Sequence, residues 1–580
     1  MDAATACDRL ARCGLPDQWA KMPAWTVLDT AFAGAEQFLA TWHAWQQDPC
    51  RPRMLHYVGI SSHALHIAVG PAEHLPDRLQ PLAQTLATHC ASLGVGFHRI
   101  ILEHGQVSLT LCIGNVKTVL GEQVFQADTV FSSAPTDKWA AQLLGRRCKR
   151  GTRLCLFAEA THTEGSQVDF LRCAGFDIND PQATPDCIVC SYSPRWTLRT
   201  SRGTTQPPAT AAARCAVVGA GIAGASVAHA LALRGWQVRV FDRDATPASG
   251  ASGLPAGLVV PHLSVDDNPR SRLSRHGTRV MAQHARNVLL RGQDWEPSGV
   301  LERRDEAATL WHPDALWMRP TALIRAWLQR SGVSFVGNTE VAALARSGDA
   351  WVLRDVQGQE LARAELVVLA NALGGAKLLA SAMPDCAVSA DLRDNLERLQ
   401  ALHGTLSHGV YAEELPGLPD TPVNGKGYFI PHLPGAQGEG WLIGSTFEAD
   451  ARKAADLWSQ HAANLIKLES LLPDTGRELA AHLERAPVAL WSATRCVTRD
   501  RLPLVGPVDA VATAGLWLCI GMGSRGLSLA PLCAELLAAR VGGEPWPIES
   551  TLARSLDPHR VRRQRNRGRT PQDFDAPHNF

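Results

Sequence analysis

Three glycines and an aspartate carry the clearest chemical signal in the sequence. Gly219, Gly221 and Gly224 form a G-x-G-x-x-G pattern directly after a short apolar run, and Asp242 lies 18 residues beyond the last of them. Glycines in this pattern permit a tight turn and let the backbone approach a pyrophosphate, whose charge is favoured by the N-terminus of the following helix. A carboxylate at this distance hydrogen-bonds ribose hydroxyls. These residues predict a dinucleotide-binding strand–helix–strand unit.

A second glycine-rich turn near the C-terminus distinguishes between the possible dinucleotides. Residues 515–539 predict a strand, a loop that contains Gly521, Gly523 and Gly526, and then a helix. A nicotinamide-dependent enzyme has no need of such a second turn. A flavoprotein uses the N-terminus of the late helix to stabilise negative charge on the pyrimidine ring of the flavin. We therefore expect FAD rather than a nicotinamide cofactor.

A third segment rich in Gly, Ala and Ser, residues 248–264, follows the second predicted strand and is able to pass close to a flat ring. Together with the two glycine turns it completes the expected FAD contacts. The expected cofactor-binding residues are Gly219, Gly221, Gly224, Asp242, Ser252, Gly253, Gly523, Ser524 and Gly526.

Length and composition set the domain organisation. A chain of 580 residues is too long for one core, and 45% hydrophobic with 19% charged residues is ordinary for a globular protein. Residues 197–214 are small and polar with two adjacent prolines, as is typical of a linker. We expect one domain at residues 1–196, a larger module at 215–557, and a basic tail at 558–580.

The sequence disfavours a secreted, membrane-spanning, disulfide-rich or metal-binding protein. The start of the chain lacks the features of a signal peptide, and no apolar run is long enough to span a membrane. Fifteen irregularly spaced cysteines favour reduced thiols in a cytoplasmic protein over a disulfide framework. Cys187 and Cys190 have the CxxC spacing but no second pair, so we expect no metal site.

The residues from 215 to about 560 resemble a known family. They are similar to the amine-oxidising flavoproteins related to D-amino-acid oxidase, glycine oxidase and sarcosine oxidase. The segments GASG (250–253), ATRCVTRDRLPLVGP (493–507) and residues 521–539 resemble more closely the bacterial bifunctional proteins of tRNA 5-methylaminomethyl-2-thiouridine biosynthesis. The N-terminal segments FLATWHAW, RPRMLHYVGISSHAL and LTLCIGNVKTVL are similar, in the same order, to the methyltransferase half of that family.

The resemblance implies a chemistry. The family's substrate is a tRNA wobble uridine whose C5 carries a carboxymethylaminomethyl group, which is a glycine attached through its nitrogen. Hydride passes to FAD from the carbon next to nitrogen, water attacks the resulting imine, and glyoxylate leaves. For substrate or flavin contacts we select Arg525 and Arg495, and Tyr428 for the wall of the substrate cavity. His262 and His432, each beside a proline, are expected to be structural.

The N-terminal domain departs from the family pattern where S-adenosylmethionine binds. The family loop GFGTGLNFL is AFAGAEQFL here (31–39), Ser61 replaces the acid that holds the ribose, and Asn115 replaces a second acid. The stretch SSAPTDKW (132–139) is shorter than its counterpart and lacks the acid near the transferred methyl group. We therefore expect a degenerate methyltransferase fold. If it is competent, it methylates the freed aminomethyl group with S-adenosylmethionine.

The predicted fold class is α/β. A degenerate Rossmann-like methyltransferase fold precedes an FAD-binding Rossmann-type oxidoreductase domain with a substrate subdomain at about 290–470. Two basic runs, 145–153 and 560–569, favour tRNA as partner in a chain whose net charge is only +1. A small amino-acid or amine oxidase and a non-catalytic flavin-containing RNA-binding protein stay open as alternatives. The sequence does not define the oligomeric state.

Overall fold

The computed structural model describes residues 3–62, 75–90, 93–133, 135–157, 165–178, 187–197, 213–304, 308–382, 386, 388–411, 415, 417–436, 438–509 and 515–561. The chain divides into two compact units. Unit 1 contains residues 1–212, 233–235 and 535–554, and unit 2 contains the others. Most of the predicted linker and of the predicted tail lie outside the described residues. Within the described part of the chain, no helix is both long and apolar enough to span a bilayer.

Unit 1 is built on one eight-stranded sheet in the order β3-β4-β2-β1-β5-β6-β8-β7. Its strands are β1 (Ala24–Asp29), β2 (Met54–Ser61), β3 (Gly96–Leu102), β4 (Val107–Ile113), β5 (Ala127–Ser133), β6 (Cys148–Phe157), β7 (Phe176–Asp177) and β8 (Ile188–Tyr192). Its helices in the first 212 residues are α1 (Ala3–Arg12), α2 (Glu36–Gln47), α3 (Gln80–Cys90), α4 (Val116–Glu122), α5 (Lys138–Arg146) and α6 (Gly165–Cys173).

The pairing of these strands is that of a Rossmann-like methyltransferase fold, as predicted. Strands β4, β2, β1, β5 and β6 are parallel, and β8 is inserted antiparallel between β6 and β7. Every residue of β2 and β4 is buried, which is the pattern expected for strands covered on both faces. The carboxyl ends of the parallel strands therefore meet at one edge, where a ligand site would lie.

Residues 233–235 and 535–554, which belong to unit 1 although they follow residue 212, are joined to each other by buried ion pairs. The Arg234 guanidinium lies 2.7 Å from a Glu544 carboxylate oxygen and 3.2 Å from one of Glu535, and all three side chains are buried. Arg99 donates a hydrogen bond to the Pro545 carbonyl oxygen at 2.5 Å. A buried charge that loses its partner is strongly destabilising. A fragment that ends before residue 213 would lack these partners, so unit 1 is best studied in the full chain.

Unit 2 contains a six-stranded sheet in the order β16-β10-β9-β20-β27-β26 and a seven-stranded sheet in the order β14-β13-β22-β23-β24-β21-β25. Strands β11-β15-β12 and β17-β18-β19 form two small sheets. The strands are β9 (Arg214–Val218), β10 (Gln237–Phe241), β11 (Gly257–Val259), β12 (Trp295–Glu296), β13 (Val300–Arg303), β14 (Thr309–His312), β15 (Leu316–Met318), β16 (Val333–Val336), β17 (Ala343–Ser347), β18 (Ala350–Arg354), β19 (Glu360–Ala364), β20 (Leu366–Leu369), β21 (Gln400–Val410), β22 (Val423–Gly425), β23 (Gly427–Leu433), β24 (Gly440–Gly444), β25 (Ala489–Val497), β26 (Leu504–Pro507) and β27 (Leu516–Ile520).

The remaining helices are α7 (Ile222–Leu233), α8 (Pro269–Val288), α9 (Pro320–Leu328), α10 (Gly374–Ala382), α11 (Ala390–Glu397), α12 (Ala451–Ala455), α13 (Leu457–Leu471), α14 (Gly476–Arg485), α15 (Gly526–Gly542) and α16 (Ser550–Arg554). Helix α13 packs on the seven-stranded sheet because its leucines, Leu465, Leu468 and Leu471, share one core with Phe429 and Ile443 of that sheet.

The six-stranded sheet sets the position of both glycine turns. Strands β16, β10, β9, β20 and β27 are parallel, and β26 is antiparallel to β27. The first glycine turn follows β9 and the late turn follows β27, with only β20 between them. Both turns therefore lie at the carboxyl edge of one parallel sheet, where open α/β folds bind their ligands.

Arg560, the first residue of the basic run 560–569, is held by contacts within unit 2. Its guanidinium lies 2.9 Å from an Asp500 carboxylate oxygen and donates to the carbonyl oxygens of Leu502 and Pro503. The arginine is nearly buried, because the chain after α16 still packs against unit 2. The Arg560 guanidinium is thus engaged within unit 2, while residues 562–580, which hold most of the basic run, lie outside the described part of the chain.

Candidate functional site

A cavity of about 1180 Å³ opens at the carboxyl edge of the six-stranded sheet in unit 2. One wall comes from the two glycine turns, and the facing wall comes from strands of the seven-stranded sheet. Most of the residues predicted from the sequence line this cavity: Gly219, Gly221, Asp242, Ser252, Tyr428, Arg495, Gly523, Ser524, Arg525 and Gly526. Gly224 and Gly253 are not among its lining residues; each packs against neighbouring backbone instead.

The first glycine turn leaves no room for side chains at two of its three glycines. Gly219 has a φ of +104°, and a Cβ there would lie 2.8 Å from the Ala370 carbonyl oxygen. A Cβ on Gly224 would lie 1.8 Å from the Gly219 carbonyl oxygen, so this glycine lets α7 pack directly on the turn. A Cβ on Gly221 would meet only Ser252, 3.1 Å from its Oγ. The space beside Gly221 therefore belongs to the cavity.

The side chains of Asp242 and Ser252 stabilise this turn by accepting hydrogen bonds from its backbone N–H groups. Asp242 accepts hydrogen bonds from the Ala220 N–H at 2.7 Å and from the Asp244 N–H at 3.1 Å. Ser252 Oγ accepts from the Ile222 N–H at 2.9 Å, at the start of α7. A carboxylate offers about four acceptor sites, so Asp242 keeps capacity for ribose hydroxyls. The Ser252 hydroxyl likewise keeps its proton to donate.

The late glycine turn presents the N-terminus of α15 to the cavity. Gly521 and Gly523 both have positive φ values, +77° and +57°, and Gly526 is the first residue of this 17-residue helix. Arg525 donates to Ser274 Oγ at 3.4 Å. Burial, followed by the charge of Arg270, lowers the pKa of Arg525 to about 10, and the guanidinium stays charged at neutral pH.

Arg495, on β25, lines the facing wall of the cavity with its guanidinium. Its Nη2 donates to Ser445 Oγ at 2.9 Å, and its Cζ lies 4.8 Å from the centre of the Phe447 ring. A Cβ on Gly404 would lie 2.2 Å from Arg495 Nη1, so that glycine makes room for the guanidinium. Among the described residues no carboxylate forms an ion pair with it. Burial lowers the pKa of Arg495, and the group is placed to receive an anion.

Two further lining residues have properties that the sequence did not reveal. The Oδ1 atom of Asn371 is buried without a hydrogen-bond partner, just beyond the end of β20. His262 Nδ1 lies 2.8 Å from Ser271 Oγ, and burial together with Arg525 lowers its pKa to about 4. His262 is therefore a neutral cavity residue at physiological pH. His432 is not among the lining residues, and its Nδ1 lies 2.8 Å from a Glu439 oxygen.

The residues present fit an FAD molecule. The first turn forms a cradle beside Gly221 that a side chain would fill, which suits a pyrophosphate. The orphaned Asn371 oxygen is suited to accept a hydrogen bond from a ligand hydroxyl or amide. The α15 N-terminus faces the same space and favours negative charge on a bound ring. The described part of the chain contains no group of three His, Cys, Asp or Glu side chains that could hold a metal ion.

At the corresponding edge of the unit 1 sheet, polar side chains form hydrogen bonds with one another and with nearby backbone. Asp29, at the end of β1, accepts from the Tyr57 hydroxyl at 2.8 Å and from the Ala31 N–H at 3.0 Å. Burial raises the pKa of Asp29 to about 6. Thr30 Oγ1 lies 2.6 Å from Ser132 Oγ. These polar groups are already paired with one another.

Two of the departures from the family pattern also have structural consequences. Ala35 has a φ of +66°, in the left-handed region that favours glycine, and it caps the N-terminus of α2. The loop therefore keeps a backbone shape suited to glycine while carrying a side chain there. Asn115 accepts from the backbone N–H of Lys117 at 3.0 Å and caps α4. Its amide oxygen serves the fold at a place where the family has an acid.

Comparison with known proteins gives a consistent set of matches. The family described as "FAD dependent oxidoreductase" matches residues 214–307 and 281–540. The tRNA 5-methylaminomethyl-2-thiouridine biosynthesis bifunctional protein MnmC of Albidiferax ferrireducens is 44% identical and covers 96% of each chain. Its counterpart in Polaromonas naphthalenivorans is 40% identical over 95% of this chain and 92% of its own. Glycine oxidase from Geobacillus kaustophilus aligns with 57% of this chain and 95% of its own, at 22% identity and a TM-score of 0.45.

Proposed function

Because this chain belongs to the family of bacterial tRNA 5-methylaminomethyl-2-thiouridine biosynthesis bifunctional proteins, we propose that it modifies the wobble uridine of tRNA. It is an FAD-dependent oxidoreductase acting on a CH–NH bond. It removes the carboxymethyl group of 5-carboxymethylaminomethyl-(2-thio)uridine and leaves the 5-aminomethyl form. The observation that carries this proposal is one cavity with a dinucleotide cradle on one wall and Arg495, which has no carboxylate partner among the described residues, on the other.

The chain's own residues divide the work of binding the cofactor. Gly219 and Gly221 would let the backbone approach the pyrophosphate, and Asp242 would accept hydrogen bonds from the ribose. The turn from Gly523 to Gly526 brings the α15 N-terminus to the cavity, where it would favour negative charge on a bound flavin. When bound, FAD supplies the acceptor for the hydride that leaves the carbon next to nitrogen.

The facing wall recognises the group that is removed. The carboxymethylamino group carries a carboxylate and a secondary amine, and Arg495 binds the carboxylate with its charged guanidinium. Burial raises the pKa of Tyr428 to about 12, so its hydroxyl stays protonated and available as a donor beside Arg495. Arg525 lines the same cavity from the late turn and would add positive charge beside a bound flavin.

A small amino-acid or amine oxidase would need the same cradle and the same arginine. It would have no use for unit 1, whereas the relatives match along 95–96% of this chain. This coverage supports tRNA as the substrate, and we propose that the protein acts on tRNA in the cytoplasm. Nucleoside analysis of tRNA from cells that lack the protein tests the proposal. Accumulated 5-carboxymethylaminomethyl nucleoside is expected, and an unchanged nucleoside profile would contradict it.

We further propose that unit 1 no longer binds S-adenosylmethionine. A working site binds this cofactor in the micromolar range, which corresponds to ~8 kcal/mol. Each lost charge-assisted hydrogen bond to the ribose removes about 1.5–3 kcal/mol. Calorimetry on the full-length protein should therefore show no measurable binding of S-adenosylmethionine. A methylation assay should show no methyl transfer to tRNA that carries the aminomethyl group. The flavin content of the same sample serves as the control for folding. Micromolar binding of S-adenosylmethionine or methyl transfer would show that unit 1 is an active methyltransferase.

A further inference from the structure

The stretch of the cavity wall contributed by residues 406–496 contains cations but no acids. The described lining residues between positions 406 and 496 are Leu406, Asn424, Gly425, Lys426, Gly427, Tyr428, Ser445, Phe447, Trp491, Thr494, Arg495 and Cys496. Four acids line the cavity elsewhere, namely Asp242, Asp244, Glu302 and Glu340. Of these, Glu302 lies on β13 of the same sheet, with a carboxylate oxygen 2.5 Å from His312 Nε2. The Glu302 carboxylate contacts His312 and Arg304, and among the described residues it forms no ion pair with Arg495, Lys426 or Lys467.

Lys467, on α13, stands directly behind this wall. Its Nζ donates to the Ser445 carbonyl oxygen at 2.6 Å and lies 5.6 Å from the centre of the Phe447 ring. Arg495 contacts the same two residues, so the two cations share their supports. An ammonium group has three donors, and the described contacts use one of them. Burial, followed by the charge of Arg495, lowers the pKa of Lys467 to about 8.

Lys426 stands at the mouth of the same wall. It is the exposed tip residue of the hairpin that joins β22 to β23, where Gly425 pairs with Gly427. A Cβ on Gly427 would lie 3.2 Å from Lys467 Cδ, so the two lysines flank one glycine. Neither lysine forms an ion pair with a carboxylate of the described residues. Arg495 on the wall, Lys426 at its mouth and Lys467 behind it are thus three cations without a carboxylate partner among the described residues.

The carboxymethylamino group has a single carboxylate, which accounts for Arg495 alone. Lys426 and Lys467 add two further cations beside it, and a nucleotide within RNA carries an anion in each flanking phosphodiester. We propose that Lys426 and Lys467 form a subsite for a phosphodiester next to the wobble nucleotide. The subsite rests on the proposed function, and it would let the enzyme distinguish tRNA from a free nucleoside or a free amino acid.

The test compares two substrates in the flavin-loaded full-length enzyme. Lys426→Ala, Lys467→Met and the double variant are assayed with tRNA that carries 5-carboxymethylaminomethyluridine and with that free nucleoside. The ratio of kcat/KM for tRNA to kcat/KM for the nucleoside should fall about tenfold in the double variant, mainly through KM. With tRNA alone, the slope of log KM against log salt should flatten by about 0.7, the value for one lost single-strand phosphate contact. Lys467→Arg should restore most of the loss.

Controls separate this subsite from other roles. Lys453→Ala removes an exposed lysine of α12 and should leave the substrate ratio and the salt slope unchanged. Equal losses on both substrates would overturn the inference, because the lysines would then serve the carboxylate site. Loss of flavin from the variants would also overturn it, because the phosphate would be that of FAD. A wild-type enzyme that oxidises neither substrate would instead contradict the proposed function itself.

Discussion

Protein that carries Gly221→Val is expected to purify folded but colourless, without FAD and without oxidase activity. A Cβ at this position meets only Ser252, 3.1 Å from its Oγ, so the backbone of the turn tolerates it. It extends into the part of the cavity where the pyrophosphate must approach the backbone. Loss of that approach should weaken FAD binding by at least a hundredfold, or about 2.8 kcal/mol.

The measurement is the visible absorption of the purified protein together with its thermal unfolding. Gly121→Val is the matched control, because a Cβ at Gly121 meets no atom within 4 Å and the residue lies in unit 1. The control should stay yellow. A normal flavin content in Gly221→Val would contradict the assignment of the first glycine turn to the cofactor.

Arg495→Met should lower kcat/KM for modified tRNA by a factor of about 10² to 10³, while FAD content stays normal. The substitution keeps much of the side-chain volume beside Phe447 and removes the charged donors that face the substrate. Loss of a charge-assisted bidentate interaction in a buried site accounts for about 2.7–4 kcal/mol. Arg495→Lys should recover part of the activity only, because an ammonium cannot donate in the same forked geometry.

Steady-state kinetics with the variant and with Arg398→Met checks this result. Arg398 is a surface residue whose guanidinium lies 2.7 Å from Asp394, and its loss should leave the kinetics unchanged. A kcat/KM for Arg495→Met within threefold of the wild-type value would show that the carboxylate is bound elsewhere.

The cofactor side of the site was predictable because its signals are local. A glycine turn after a buried strand fixes its own geometry, and the two parallel strands β9 and β27 bring both turns to one edge. The helix after the first turn begins at Ile222, between the second and third glycines. Its first N–H donates to Ser252 Oγ, which comes from a loop 30 residues away and is not part of the local pattern.

The substrate side was predictable only in part. Arg495 and Tyr428 were selected from motifs, but Lys467 lies on a helix whose position depends on tertiary packing. No local pattern indicates that its ammonium lies beside Ser445, 22 residues away. The order of the seven-stranded sheet is likewise set by long-range antiparallel pairs, such as that of β21 with β25.

The late segments of unit 1 were missed for the same reason. Glu535 and Glu544 follow the flavin-facing turn in the chain, and the sequence placed them with the oxidoreductase domain. In the structure their carboxylates pair with Arg234 inside unit 1. A linear sequence pattern does not reveal which distant charge will neutralise a buried carboxylate, so this division of the chain required the structure.

The most direct test of the proposed reaction is to mix the flavin-loaded full-length protein with modified tRNA in the absence of oxygen. Transfer RNA that carries 5-carboxymethylaminomethyluridine should bleach the visible absorption of the flavin and release about one glyoxylate per flavin reduced. Unmodified tRNA should leave the absorption unchanged. A flavin that stays oxidised with the modified tRNA but is bleached by free glycine would contradict the account and identify a small amino-acid oxidase instead.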